Sequence, residues 1–272
     1  MNFIKALGRV ALASTLVLLV QINIYAQDTK PTYVMVTLTK VEKGKGAEYE
    51  ELIKTYGAKM FNERVKSGEL ESWALYSVGM RTDMSDEYNY VSVAASKNLK
   101  GLMEPQMTAP DLMKKLMPGA TQDMIDDIGP KYNAVRTILG SMILVNLDGL
   151  TTTDRKFYEI NYMQVPAGKE AEYVALEKDI YKPLHKERMA KGEITGWGLY
   201  AVVYPYSDMR GFNYVTVNAF NDWEKMLTSD YAGAYKKVFP KGDMAKVNAQ
   251  TGAARKMYKT ETWRLITRVE GK

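Results

Sequence analysis

The feature that most constrains this chain is a repeat. Shifting the sequence by 124 positions lays residues 33–96 on 157–220 without a gap, and 21 of the 64 pairs are identical. The identities cluster. Gly44-Lys45-Gly46-Ala47-Glu48-Tyr49 meets Gly168-Lys169-Glu170-Ala171-Glu172-Tyr173, and Glu63-Arg64 meets Glu187-Arg188. Gly68-Glu69, Trp73, Leu75, Tyr76 and Asn89-Tyr90-Val91 recur as Gly192-Glu193, Trp197, Leu199, Tyr200 and Asn213-Tyr214-Val215. A repeat of this length is domain-sized, which marks a duplicated domain and excludes a solenoid.

Within the first copy, Tyr33–Lys40 is β-branched and alternating, hence a strand. A Gly-Lys-Gly turn leads into a helix from Ala47 to Lys66, with Tyr49, Leu52, Tyr56 and Met60 at helical spacing and Gly68 as its stop. Leu70–Val78 and Tyr88–Ala95 read as strands. A Pro-broken helical stretch covers Leu99–Leu139, and Ser141–Leu147 is a last strand. The second copy runs Phe157–Gln164, Ala171–Lys191, Ile194–Val203, Phe212–Phe220, Trp223–Met257 and Thr260–Val269. Strand, helix, strand, strand, helix, strand is the ferredoxin-like unit. The predicted organisation is one such unit over 32–147, a polar linker over 148–156 and a second unit over 157–270. The fold class is α+β.

Residues 1–26 read as an export signal. Lys5 and Arg9 precede the uncharged run Val10–Val20, and Ile24-Tyr25-Ala26 offers a cut before Gln27. The alternative is a membrane anchor, for which the uncharged stretch is marginal. The expectation is a periplasmic or extracellular protein without a stable membrane span in its mature form. Cleavage would leave 35 basic and 32 acidic side chains. That balance, without a basic stripe, gives no sign of nucleic-acid binding. The chain has no Cys and one His, which excludes disulfides, thiol nucleophiles and Cys- or His-rich metal centres.

In the strand Tyr88–Ala95, Val91, Val93 and Ala95 suit packing under helices. The opposite set, Tyr88, Tyr90, Ser92 and Ala94, is aromatic or small. Both faces prefer burial, so two such sheets can shelter each other's second face. The pattern Gly-Lys-x-Ala-Glu-Tyr, helix, Gly-Glu-x-x-x-Trp-x-Leu-Tyr, aromatic-Asn-Tyr-Val resembles the dimeric α/β barrel superfamily, and within it the NIPSNAP-like and antibiotic-biosynthesis-monooxygenase-like groups. The resemblance implies two sheets facing each other around a cavity, here inside one chain. It also implies cofactor-independent oxygenase or isomerase chemistry.

On the face carrying Tyr214, the second copy has Glu159, Asn161, Thr216 and Asn218 where the first has Met35, Thr37, Ser92 and Ala94. An aromatic cavity with a few aimed polar groups is the usual form of a small-molecule site. The prediction is therefore one working cavity, in the second half, holding an apolar or aromatic ligand. The alternative use of the same residues is catalysis, with Glu159, Asn161 and Tyr214 holding and deprotonating a substrate. A third alternative is a structural role without a ligand.

Helical steps of about 100° put Glu63 and Glu187 on the buried stripe. There they either close the last helical turn or act as a tuned acid or base, with Arg64, Arg188 or the indoles of Trp73 and Trp197 as partners. The same wheel puts His185 off that stripe, at the surface or rim. Its alternative is an axial haem ligand, since chlorite dismutases are also tandem chains with such a His in the second half. Haem is thus the one cofactor to weigh. Met103, Met107, Met113 and Met117 serve as flexible packing or, less simply, as thioether ligands for Cu(I). Further assembly into a homo-oligomer is compatible with this reading.

Overall fold

The structure is a computed structural model that describes residues 31–151, 155–206 and 211–271. The expected export signal lies outside the described residues. Among the described residues no helix is long and apolar enough to cross a membrane. Residues 31–272 form one compact unit.

The strands are β1 (Tyr33–Val41), β2 (Ser72–Arg81), β3 (Tyr90–Ser96), β4 (Arg136–Thr151), β5 (Phe157–Gln164), β6 (Gly196–Tyr204), β7 (Tyr214–Phe220) and β8 (Lys256–Glu270). All pair antiparallel and close a barrel in the order β1-β3-β2-β8-β5-β7-β6-β4. Four consecutive strands of each half thus stand side by side, β4-β1-β3-β2 and β8-β5-β7-β6. Helices α1 (Gly46–Leu52) and α2 (Ala58–Lys66) in the first half correspond to α7 (Glu170–Leu176) and α8 (Lys182–Ala190) in the second. Gly44 and Gly168, with φ of 83° and 82°, make the same tight entry to these helices. Shorter helices complete each half: α3 (Leu99–Met103), α4 (Ala109–Leu116), α5 (Gln122–Asp126) and α6 (Ile128–Asn133), then α9 (Trp223–Leu227), α10 (Tyr231–Val238) and α11 (Met244–Ala254). Thr108 and Thr121 cap α4 and α5 through their hydroxyls. Asp222, Asp230 and Asp243 do so for α9, α10 and α11 with carboxylates.

Two strands are longer than the sequence suggests. β4 begins at Arg136 and not Ser141, and it runs through residues 148–151, which read as linker. β8 begins at Lys256 and not Thr260. Closure accounts for residues 148–151, which pair with β6 of the other half, whereas Arg136–Gly140 and Lys256–Lys259 extend the pairing with β1 and β5 of their own halves. β4 pairs with β1 over Arg136–Val145 and with β6 over Ile143–Thr151. β8 pairs with β5 over Lys256–Arg264 and with β2 over Glu261–Glu270. Each long strand bridges the two halves in a staggered register that local sequence pattern does not encode.

The face assignment is corrected by the structure. Val91, Val93 and Ala95, and their counterparts Val215, Val217 and Ala219, point into the barrel with Val34, Val36, Tyr76, Tyr158, Ile160 and Trp263. Tyr90 and Ala94 pack under the helices of the first half with Tyr49 and Ile53. Tyr214 does the same in the second half with Tyr173. Ring pairs fix both arrangements: Tyr49 on Tyr90 at 5.0 Å and Tyr173 on Tyr214 at 5.1 Å. Alternation separates the faces but does not say which one turns inward when both are apolar.

The barrel interior is crossed by one charged layer. Glu261 is fully buried. Tyr88 donates to its Oε1, and Tyr162 and the Trp263 indole donate to Oε2, each at 3.0 Å for the latter two. Lys259 Nζ lies 2.9 Å and Arg81 Nε 3.6 Å from Oε1. The residues come from β2, β5, β8 and the approach to β3, so this carboxylate ties both halves together. Burial and the adjacent Glu261 charge push the Tyr88 hydroxyl up to about 12, which keeps it a donor. Glu261→Gln should leave Arg81 and Lys259 with only Asp83, 3.7 Å from Lys259 at the more exposed side, as counter-charge and cost roughly 3–5 kcal/mol. Chemical denaturation checks this: loss of less than about 1 kcal/mol would mean the layer does not hold the halves.

Candidate functional site

The C-terminal half carries a buried polar cluster between the outer face of its sheet and the helices that cover it. β5 and β7 run antiparallel with Glu159 opposite Asn218 and Asn161 opposite Thr216. Asn218 Nδ2 donates to Glu159 Oε2 at 2.8 Å and Asn161 Nδ2 to the same oxygen at 3.3 Å. Thr260 in β8 donates to Asn161 Oδ1 at 2.8 Å. The predicted residues Glu159, Asn161, Tyr214, Thr216 and Asn218 therefore do share one face. That face lies beneath helices and does not line the barrel, which is the correction to the expected cavity. Asn161, Thr216 and Asn218 are buried, and Asn218 Oδ1 has no hydrogen-bond partner.

The helical wall adds groups that the sequence reading did not select. A π-helical turn, Glu177–Tyr181, joins α7 to α8, and a matching one, Ile53–Gly57, joins α1 to α2. Such turns insert one residue into the helical ladder and rotate everything after it. That rotation explains His185. The simple wheel puts it at the surface, yet it is 3% exposed. It stacks on Trp197 at 5.4 Å, just as Phe61 stacks on Trp73 at 4.4 Å in the first half. Arg188 follows His185 inward: its Nη1 lies 3.2 Å from His185 Nδ1, and Nη2 donates to Ser229 at 2.7 Å. Its guanidinium also sits 4.0 Å above the Tyr231 ring.

Glu187 stays largely covered, its side chain 12% exposed, and Lys237 from α10 pairs with it at 2.7 Å. Glu63 is bound likewise by Lys115 and Lys66, each at 2.8 Å. Those lysines, and not Arg64, Arg188 or the indoles, are the partners. Both glutamates tie one helix to the next and stand outside the cluster. The arginines instead pair with Glu69 and Glu193 in the following turn. The repeated Glu-Arg motif is thus architectural. Of the four methionines, Met113 is buried in the core of the first half while Met103 and Met107 are exposed. Among the described residues no three His, Asp or Glu side chains converge as a metal ion would need.

Glu177 is the group with the most chemical potential. It opens the π turn, is 3% exposed, and lies beside the Tyr173 hydroxyl and Arg255. Burial raises its carboxyl to about 7, against the pull of that hydroxyl and of Arg255. Tyr231, at the rim, is within electrostatic reach of both Glu159 and Glu177. The first half has Ile53 at the position of Glu177, Met35 for Glu159, Ala94 for Asn218 and Phe61 for His185. The comparison between copies that selects Glu159 would also have selected Glu177.

His185 does not suit an axial haem ligand. Burial and the Arg188 charge hold its imidazole down at about 3, so it is neutral. Arginine has only donors to offer, so Nδ1 acts as acceptor and the proton sits on Nε2. A metal-bound histidine needs the reverse, with its free ring N–H donating to a carboxylate or carbonyl.

Two titrations with opposite signs follow. Between pH 4.5 and 7 the folded chain keeps a proton on Glu177 that the unfolded chain releases, so this group makes stability fall as pH rises. The difference is on the order of 3 kcal/mol. Glu177→Gln should accordingly stabilise the protein at pH 8, with the gain vanishing near pH 4.5 in denaturation curves. His185 acts the other way: the unfolded chain binds the proton first, and stability is lost as pH falls from 6.5 towards 3. His185→Phe, which copies the Phe61–Trp73 pair, should flatten that acid limb. Parallel curves for variant and parent across pH 3–8 would contradict either assignment.

No protein-family profile matches the chain, and no curated protein matches it. Solved structures do. A protein from Fusobacterium nucleatum described as a "putative monooxygenase" is 12% identical, with a TM-score of 0.54 over 90% of this chain and 95% of that one. Another so described, from Lactobacillus acidophilus, is 10% identical, with a TM-score of 0.48 over 89% and 97%. A heme-binding protein from Thermus thermophilus is 9% identical, with a TM-score of 0.46 over 87% and 92%. At these identities the likeness is one of fold. The chain is an α+β protein with an eight-stranded antiparallel barrel, and its structural neighbours have the dimeric α/β barrel fold.

Proposed function

We propose that this chain is a tandem duplication of a ferredoxin-like unit in which the second copy works as a cofactor-independent monooxygenase or isomerase. The substrate would be a small, largely apolar or aromatic molecule with a weakly acidic C–H or O–H. The observation that carries the reading is Glu177, a buried carboxyl poised near 7 in one copy where the other has Ile53. A general base is most effective when its pKa lies near the working pH. Glu177 would take the substrate proton, while Glu159, held by Asn161 and Asn218, would orient a donor group of the substrate. Tyr214, Tyr173 and Trp197 supply flat walls. In the oxygenase case the substrate anion reduces dioxygen, so that a CH2 group becomes C=O and water leaves. In the isomerase case the proton returns at another carbon. The name borne by the Fusobacterium protein suits the first, and the antibiotic-biosynthesis-monooxygenase-like resemblance supports it better than the NIPSNAP-like one.

A second reading, retention of an apolar or aromatic ligand without chemistry, draws on the cavity of about 430 Å³ inside the barrel. Both readings place the mature protein in the periplasm or outside the cell, on residues 1–26 alone.

The test is oxygen uptake, and solvent deuterium exchange into substrate, over a panel of phenols and aromatic carbon acids. Turnover should rise about tenfold per pH unit below 7 and level off above it, because the base must be ionised. Glu177→Gln should lower it by roughly 10²–10⁴-fold. Undiminished turnover in that variant would remove the proposed base.

A further inference from the structure

The barrel interior holds a cavity on the opposite side of the sheet from the helix-covered cluster. Its walls are the inward side chains of both halves, among them Val36, Val93, Leu144, Ile160 and Val217, around about 430 Å³. That size lies within the range of small-molecule pockets, roughly 300–1,000 Å³. The Glu261 layer bounds the cavity at one end, with Trp263 beneath it. The other end is charged as well. Arg155 and Arg268 both line it and both turn to Glu270: Arg155 Nη2 donates to Oε1 at 2.8 Å and Arg268 Nε lies 3.2 Å from the same oxygen. Among the described lining residues Glu270 is the one acid against two arginines. Arg155 Nε is buried and has no acceptor. Arg155 is also within electrostatic reach of the phenols of Tyr76, Tyr158 and Tyr200.

An apolar shaft that ends in Arg155, whose buried Nε has no acceptor, and in phenolic donors matches one kind of molecule. We infer that the barrel binds an amphipathic carboxylate, its hydrocarbon chain in the shaft and its head group on Arg155, beside Glu270. Guanidinium presents a planar fork that fits a carboxylate. A dry apolar cavity of about 150 Å³ already takes up benzene, so a medium-length chain has room here. This site does not depend on Glu177 or on any chemistry beneath the helices.

Decanoate, decanol and decyltrimethylammonium are the probes, titrated by calorimetry into the purified protein. Decanoate should bind one per chain, with decanol at least tenfold weaker and the cation weaker still. Arg155→Met should weaken decanoate at least tenfold and leave decanol unchanged. Ala95→Phe, which fills the shaft, should block both, with far-UV circular dichroism confirming the fold. Absence of saturable decanoate binding would overturn the inference. So would equal affinity for decanoate and decanol, or decanoate affinity unchanged in Arg155→Met, a variant at a partly exposed position that does not endanger the core.

Discussion

Closure of the barrel is the constraint on which the rest depends. Each half presents two sheet edges, β4 and β2 in the first, β8 and β6 in the second. β4 joins β6 and β2 joins β8, so no edge is left. Open edges invite pairing with other chains, and here the two halves of one chain satisfy each other's edges. The same two seams oblige the inner faces to share one core. Tyr76 of the first half meets Tyr158 of the second at 5.0 Å, and Glu261 gathers hydrogen bonds from both. Neither half can keep its inner face buried alone.

On β3 and β7 the inward sets are the same, Val91, Val93 and Ala95 against Val215, Val217 and Ala219, while on β1 and β5 they differ in size but stay apolar or aromatic, Val34 and Val36 against Tyr158 and Ile160. A residue under the helices answers only to its own half. There the copies diverge, Met35 to Glu159, Ala94 to Asn218, Ile53 to Glu177 and Phe61 to His185. Burying polar groups without compensation is costly. The second half compensates through the Asn218–Glu159, Thr260–Asn161 and Arg188–His185 contacts. Polarity supported in this way is confined to the second half.

Much of the scaffold was legible in the residues. Alternation located all eight strands, the glycines at 44, 68, 168 and 192 marked the turns, and the repeat placed the polar differences in one half. Three things were not legible. Alternation is blind to which apolar face turns inward, so Tyr90 and Tyr214 were expected around the axis and stand under helices. A regular wheel cannot foresee an inserted π residue, so His185, expected at the surface or rim, is buried. The added ends of β4 and β8 owe their strand conformation to partners distant in sequence, Leu38–Val41 for Arg136–Gly140, Gly196–Leu199 for Asp148–Thr151 and Tyr162–Gln164 for Lys256–Lys259, and local propensity is a weak guide to such pairing.

The π turn also bears on how a site came to be in only one copy. Both halves have it, at positions related by the same 124-residue shift, although Ile53 occupies the first and Glu177 the second. The bulge is therefore a property of the scaffold and not a consequence of the carboxylate. It widens the helix wall where it faces the sheet and turns the next helical segment, α2 or α8, so that its first inward ring stacks on a tryptophan. With that geometry already in place, a carboxyl at the bulge is buried without any backbone change. Burial alone then raises its pKa. The difference between the two turns lies in side chains only, on a framework that barrel closure keeps fixed.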